Sequence, residues 1–290
     1  MKKYPKILNA IISLFRYLPK YRADKSVCTV DFSDADEITV MSYNARCFNF
    51  IDAGKTNWYA RAPIFLRAIA DVKPDVIGFQ EIRSTQERYL NEHLSGYTLL
   101  HAYNRDGRRK ESMTIAYRTG RFEEKAGGFF WLSDTPEKMS KSWKSGSYRI
   151  ANYVVLTDKR TNKTFTAIDT HLDNVSEDAR ANGIKVILDQ IEKRGLPRPV
   201  LMGDMNDFPQ MPFYKEVEKS GLLDALEAAK SVYDGPGPTW HNFGKPIDLD
   251  RIDYFFVPPG VDVTEYSVFD KSYDGVYPSD HYPIVIKIKI

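Results

Sequence analysis

Tyr277-Pro278-Ser279-Asp280-His281-Tyr282-Pro283 stands directly before Ile284-Val285-Ile286, and Gly203-Asp204-Met205-Asn206-Asp207 directly follows Val200-Leu201-Met202. Each apolar triplet reads as a buried strand, which puts Asp204, Asn206, Asp280 and His281 at strand ends, where loops gather reactive groups on a rigid frame. A carboxylate, an amide and an imidazole so placed are what a hard cation and an attacking water require. The pairing points to metal-dependent hydrolysis of a phosphate ester.

Working outward, Ile38-Thr39-Val40-Met41-Ser42-Tyr43-Asn44 is a strand ending in an amide, and Val76-Ile77-Gly78-Phe79-Gln80-Glu81 is one ending in a carboxylate. Asn44 and Glu81 make a natural pair for Mg²⁺ or Mn²⁺. Thr166-Ala167-Ile168-Asp169-Thr170-His171-Leu172-Asp173 delivers a histidine in the same way, and Arg251-Ile252-Asp253-Tyr254-Phe255-Phe256 another carboxylate.

Taken in this order, the clusters resemble the endonuclease/exonuclease/phosphatase superfamily, and the resemblance runs from about Ile38 to Ile290. Phe130-Trp131-Leu132-Ser133-Asp134-Thr135-Pro136, Glu177-Asp178-Ala179-Arg180 and Thr239-Trp240-His241 make the chain most similar to the bacterial stand-alone phosphohydrolases of that superfamily. The resemblance implies an α/β fold, a four-layer α/β sandwich of two packed mixed β-sheets flanked by helices, as in DNase I. It implies Glu81 supported by Asn44 as the holder of Mg²⁺ or Mn²⁺, with Asp280 as a further contact. Asp204 would orient or deprotonate water, Asn206 would donate to phosphate, and Asp253 would fix His281 in its charged form. His171 stands where the abasic-site endonucleases usually carry tyrosine, which argues against that branch.

Composition fits without deciding. A chain of 290 residues with 42% hydrophobic residues can bury one large core, and its net charge of +2 is too mild for a dedicated non-specific DNA binder. The expected substrate is therefore a small or lipid-linked phosphodiester or phosphomonoester. A nuclease, and a catalytically silent binding module with the same fold, are the alternatives. The two cysteines, Cys28 and Cys47, show no metal-type spacing, and Cys47 reads as a small buried side chain.

Residues 1–37 read as an amphipathic helix and linker ahead of a catalytic domain over 38–290. From Lys6 to Lys20 polar residues recur at helical spacing, while Ile7, Leu8, Ile11, Ile12, Leu14, Phe15 and Leu18 form a wide apolar face. The stretch falls short of the about 20 apolar residues a membrane span needs. It can lie in a membrane interface, helped by Lys2, Lys3, Arg16, Lys20 and Arg22, or it can pack on the catalytic domain or self-associate. The expected location is cytoplasmic, with peripheral membrane association open.

Further helices are expected over Trp58–Val72, stopped by Pro74; from a capping box at Ser84 to near Gly96; from Ser176 through Ile191; and within Phe213–Ala229, broken at Gly221. Arg149, Arg180 and His241 are candidate substrate contacts. Asp169, Asp207 and Asp270 are read as turn or cap residues, and His93 and His101 as surface or loop histidines.

Overall fold

The computed structural model describes residues 4–30, 32, 35–107 and 110–290. Elements run α1 (Tyr4–Ala23), β1 (Ile38–Asn44), α2 (Trp58–Val72), β2 (Val76–Ile82), α3 (Ser84–His93), β3 (Tyr97–Tyr103), β4 (Ser112–Arg118), β5 (Phe122–Trp131), β6 (Ile150–Asp158) and β7 (Thr164–His171). They continue α4 (Glu177–Arg194), β8 (Pro199–Asp204), α5 (Pro212–Ser220), β9 (Leu223–Asp224), α6 (Ala225–Ala228), β10 (Val232–Tyr233), β11 (Asp253–Val257), β12 (Asp262–Val268) and β13 (Ile284–Lys289).

The strands form two mixed sheets, ordered β10-β12-β13-β1-β2-β4-β3 and β5-β6-β7-β8-β11-β9. Central strands are apolar on both sides because each has a neighbour on both faces. Val40, Val76, Ile115, Val154, Ala167, Val200, Met202 and Ile286 fill the space between the sheets. Met41, Ile77 and Phe79 meet α2 and α3 on the outer face of the first sheet, and Ile168, Leu201 and Tyr254 meet α4 and α5 on the outer face of the second. The result is the four-layer sandwich expected from the sequence.

Local chemistry sets the helix ends. Asn57 caps α2 by accepting from the Tyr59 N–H, and Ser176 caps α4 through the Ala179 N–H, with Glu177 and Asp178 at the positive end of the helix dipole. α4 continues past Ile191 to Arg194 and stops at Gly195, which adopts the left-handed conformation. α3 ends at His93, short of Gly96, and its N-cap is Arg83, whose N–H donates to Gln86 Oε1 at 3.2 Å. Gly221 ends α5 as its position suggested.

The segment after α1 is tied down rather than free. The Cys28 N–H donates to His93 O at 2.6 Å and the Ser95 N–H to Cys28 O at 3.1 Å, while Val30 is buried against the α2–α3 layer. Both cysteines are free thiols. Lys2 and Lys3 lie outside the described residues, and no described helix is long and apolar enough to cross a membrane.

Candidate functional site

The candidate residues arrive in two sets, one from each sheet. Asn44 ends β1 and Glu81 stands near the end of β2, both in the first sheet, and Asp280 and His281 lie on the loop that leads into β13 of that sheet. His171 ends β7, Asp204 ends β8 and Asp253 begins β11, all in the second. Parallel pairing of β1 with β2 and of β7 with β8 brings those four strand ends to one edge of the sandwich, and antiparallel pairing sets Asp253 directly opposite Asp204.

Two backbone distortions aim the carboxylates. Pairing between β2 and β4 shifts register after Phe79, and Glu81 adopts a left-handed conformation at φ 62°. Such a bulge re-aims a side chain, and a non-glycine residue there carries strain of the kind that collects at functional sites. Gly203, before Asp204, has φ 145°, and a Cβ there would come within 1.9 Å of Thr170 O. Only glycine lets β8 approach β7 so closely at that point.

Side-chain bonds then join the two sheets. Asn44 Nδ2 donates to Asp204 Oδ2 at 2.9 Å and to Glu81 Oε1 at 3.3 Å. Its Oδ1 accepts the Arg46 N–H at 2.9 Å. Asn44 thus presents N–H to both carboxylates and its oxygen to the Arg46 N–H, so it holds Glu81 and Asp204 together across the two sheets. Asp253 Oδ2 lies 2.9 Å from His281 Nδ1, and Asp204 Oδ2 lies 3.4 Å from His171 Nε2 and 3.8 Å from His281 Nε2.

Burial makes these charges interdependent. Burial would raise the Glu81 carboxyl, but the imidazoles, the Cys47 N–H and Arg46 outweigh it and hold it down at about 2. Burial and Arg149 push His171 well below its ordinary value, so at neutral pH the depression of Glu81 rests on the Cys47 N–H, His281 and Arg46. Burial and repulsion from Asp253 and Glu81 raise Asp204 to about 7 despite His281. Burial opposes charge on His281, yet Asp253, Asp204 and Asp280 outweigh it and raise the imidazole to about 10.

The donor set fits a hard divalent cation. Ligand atoms of Glu81, His171 and Asp204 lie within 4.8 Å of one another, as do those of Asp204, Asp253 and His281. Carboxylate oxygens dominate both groups, the chemistry Mg²⁺ and Mn²⁺ select. Asp280 belongs to neither group among the described residues; its Oδ2 lies 3.7 Å from Arg46 Nε.

The residues open onto a cavity of about 460 Å³ shared by Glu81, His171, Asp204, Asn206 and His281. Asn206 directs its backbone N–H at Asp204 Oδ1 at 2.9 Å and its Nδ2 at Leu172 O at 3.1 Å. Arg149 reaches the cavity and is 8% exposed; its Nε lies 3.8 Å from Asp173 Oδ2 and makes no hydrogen bond among the described residues.

Arg180 does not reach it. Its Nε meets Asp207 Oδ2 at 2.6 Å and its Nη1 meets Asp173 O at 3.0 Å, so it ties α4 to the loop after β8. Asp207 is accordingly a buried ion-pair partner, not a plain turn residue. His241 faces a separate cavity shared with Tyr277 and Tyr282, stacked on Tyr282 at 3.7 Å with Nδ1 accepting the Gly244 N–H, while its neighbour Trp240 lines the wall of this one. Asp169 is fully buried between the sheets, where Gln80 Nε2 donates to its Oδ1 at 2.5 Å. Burial raises that carboxyl well above its usual range. His93 is also buried.

Sequence reasoning passed over Arg46 and Asn174, which line the cavity. Arg46 follows β1 by two residues, so the strand-end rule that found Asn44 was sufficient to find it.

A two-sheet sandwich with carboxylates and imidazoles converging at one edge defines a phosphoester-hydrolase type of site. The chain belongs to the Endonuclease/Exonuclease/phosphatase family, whose sequence profile matches residues 41–281. A family protein from Bacteroides thetaiotaomicron is 29% identical, covers 87% of this chain and 97% of its own, and superposes with a TM-score of 0.81. A Bacteroides vulgatus member is 27% identical over 88% of this chain and 99% of its own, also at TM-score 0.81. The mannosyl-6-phosphatase of B. thetaiotaomicron is 27% identical over 87% of this chain and 99% of its own, at TM-score 0.77. No curated protein matches the chain in sequence.

Proposed function

We propose that residues 38–290 form a Mg²⁺- or Mn²⁺-dependent hydrolase of small or lipid-linked phosphate esters, monoester or diester. The observation that carries this reading is the convergence of Glu81, His171, Asp204 and His281, from both sheets, on one cavity. Likeness to a mannosyl-6-phosphatase supports a small phosphate ester as substrate.

Glu81 would hold the cation, which when bound supplies charge neutralisation at the phosphate oxygens. Asp204 accepts a proton from the attacking water as the water oxygen bonds to phosphorus, and the ester oxygen departs with the electron pair of the broken P–O bond and takes a proton from solvent. His281, kept protonated by Asp253, donates to a nonbridging oxygen and offsets charge growing there. His171, held neutral, and Asn206 donate further hydrogen bonds to the phosphate, and Arg149 meets its outer oxygens. Asp280 is assigned no ligand role; it pairs with Arg46 at the cavity wall.

A panel of sugar phosphates, lipid-linked phosphates and nucleotide diesters, assayed with and without chelator, tests the reading. Chelator-sensitive turnover on a small ester is expected, and activity indifferent to chelator would sink it. Plasmid cleavage that collapses steeply with salt would instead favour a nuclease. A peripheral membrane contact through residues 1–22 is a separate proposal, which would bring a lipid-linked ester within reach.

A further inference from the structure

The wide apolar face of α1 divides into two stripes. The inner stripe, Ala10, Ser13, Leu14, Tyr17, Leu18 and Tyr21, is buried or half-buried on the catalytic domain. Polar contacts fix its rotation: Ser13 Oγ accepts the Gly54 N–H at 2.6 Å, and Tyr21 OH donates to Thr85 O at 3.1 Å. The Tyr21 ring packs on Tyr59 and Tyr89 with centroids at 4.8 and 5.0 Å. The helix is therefore docked, and its docking is satisfied by one side only.

The outer stripe is left in water. Leu8, Ile12 and Phe15 are 57%, 53% and 76% exposed, with Ile7 and Ile11 beside them. A second segment extends this surface: Phe50 and Ile51, in the loop after β1, are 68% and 60% exposed. A groove of about 160 Å³ between Ile7, Ile11, Leu14, Phe48, Phe50 and Ile51 makes the two segments one patch. Contiguous exposed apolar surface of this kind marks an interaction site.

Charge selects the occupant. α1 contains no acidic residue and carries exposed Lys6, Arg16, Lys20 and Arg22 around the stripe. Face-to-face pairing of two copies would bring these like charges together, whereas anionic lipid headgroups neutralise them while acyl chains cover the apolar side chains. We propose that α1 and Phe50–Ile51 form a composite surface that seats the protein on an anionic bilayer.

The loop also ties the surface to the site. Arg46, four residues before Phe50, lines the cavity and lies 3.3 Å from Asp52 on the far side of the apolar pair. Seating of Phe50 and Ile51 thus fixes the segment that carries one wall of the cavity. This consequence, unlike the bilayer contact itself, rests on the proposed hydrolase reading.

The test is co-sedimentation of the full-length chain with vesicles of phosphatidylcholine, with and without phosphatidylglycerol, beside a melting curve and a sizing column. Binding is expected only with the anionic lipid and should weaken with salt. Phe50→Ser combined with Ile51→Ser should reduce binding roughly tenfold or more while leaving melting unchanged, since both side chains are already in solvent. Phe15→Ser should act in the same direction. No sedimentation, or binding unaffected by the loop substitutions, overturns the composite surface. A concentration-dependent dimer dissolved by the same substitutions assigns the patch to a second copy and also overturns it. Because sedimentation needs no turnover, a failed hydrolase assay with intact binding would count against the proposed reaction alone.

Discussion

His281 Nδ1 lies 2.9 Å from Asp253 Oδ2; the imidazole stands on the loop into β13 of one sheet, the carboxylate begins β11 of the other, and both are shielded from solvent. The contact both closes the sandwich at its reactive edge and keeps the imidazole charged.

Asp253→Asn removes that charge, so turnover should fall roughly a hundredfold and the alkaline limb of the rate profile should move to lower pH. The raised imidazole favours the folded state fully below its ordinary value of 6.5, and that contribution disappears as pH climbs through about 10. The stability gap between native and variant protein, measured without cation, should therefore be widest in mild acid and shrink toward pH 10. A gap independent of pH would remove the pair from this role.

Glu81→Gln should raise the cation concentration needed for half-maximal rate far more than it changes the melting temperature. Its carboxylate faces the cavity from a bulge, and the bonds it accepts, from the Cys47 N–H at 2.8 Å and Asn44 Nδ2 at 3.3 Å, lie at the site and not in the apolar core, so a glutamine would lose one of them and leave the core packing intact. An unchanged cation requirement places the ligand elsewhere.

Asp204→Asn should cost roughly a hundredfold or more in turnover. A carboxyl raised to about 7 disfavours the folded state once it ionises, so stability from this group declines as pH rises from its usual range through 7. The cation-free variant should accordingly melt no lower than the native protein at pH 8. Strong destabilisation there would show that the carboxylate is structural.

Arg180→Met should act on stability and not on substrate binding. It leaves Asp207 buried without its partner, a loss of roughly 3–5 kcal/mol. KM of the folded variant should be unchanged; a large rise in KM would return Arg180 to the substrate.

Asp173 accepts from the Gly146, Ser147 and Ser176 N–H groups and from Ser145 Oγ. Against burial, these donors hold its carboxyl down at about 2, so its contribution is present above the usual carboxylate range and lost as pH falls toward 2. Asp173→Asn should cost roughly 2–3 kcal/mol at pH 7, the scale of hydrogen bonds to a charged acceptor, and nearly nothing near pH 2. Equal destabilisation at both pH values would contradict this.

The strands that carry Asn44, Glu81, His171, Asp204, Asp253 and His281 were legible because each pairs an apolar run with a polar end, a pattern contained within eight residues or so of sequence. Arg180 and Asp169 were not. The partner of Arg180 is 27 residues away on another element, and that of Asp169 is Gln80, 89 residues away on the opposite sheet. A carboxyl enclosed between sheets also runs against the usual partition of charged residues to the surface. The division of the α1 face into docked and exposed stripes likewise depends on Gly54 and Thr85, which the helical period alone does not specify.

Gly78 lies where the two sheets leave no room for a side chain: a Cβ there would fall 2.8 Å from Asp169 Oδ1 and from Met202 Cε. That spacer governs how the two layers are offset, and each layer supplies its own half of the reactive groups. The catalytic geometry is consequently an alignment between two otherwise intact halves, like the two blades of a pair of scissors. A bulkier side chain at Gly78, or a changed volume at Met202, would preserve every local bond within each half while sliding one past the other. Lesions of activity should therefore be found deep in the interlayer packing, well away from the cavity, in proteins whose cofactor ligands are all present.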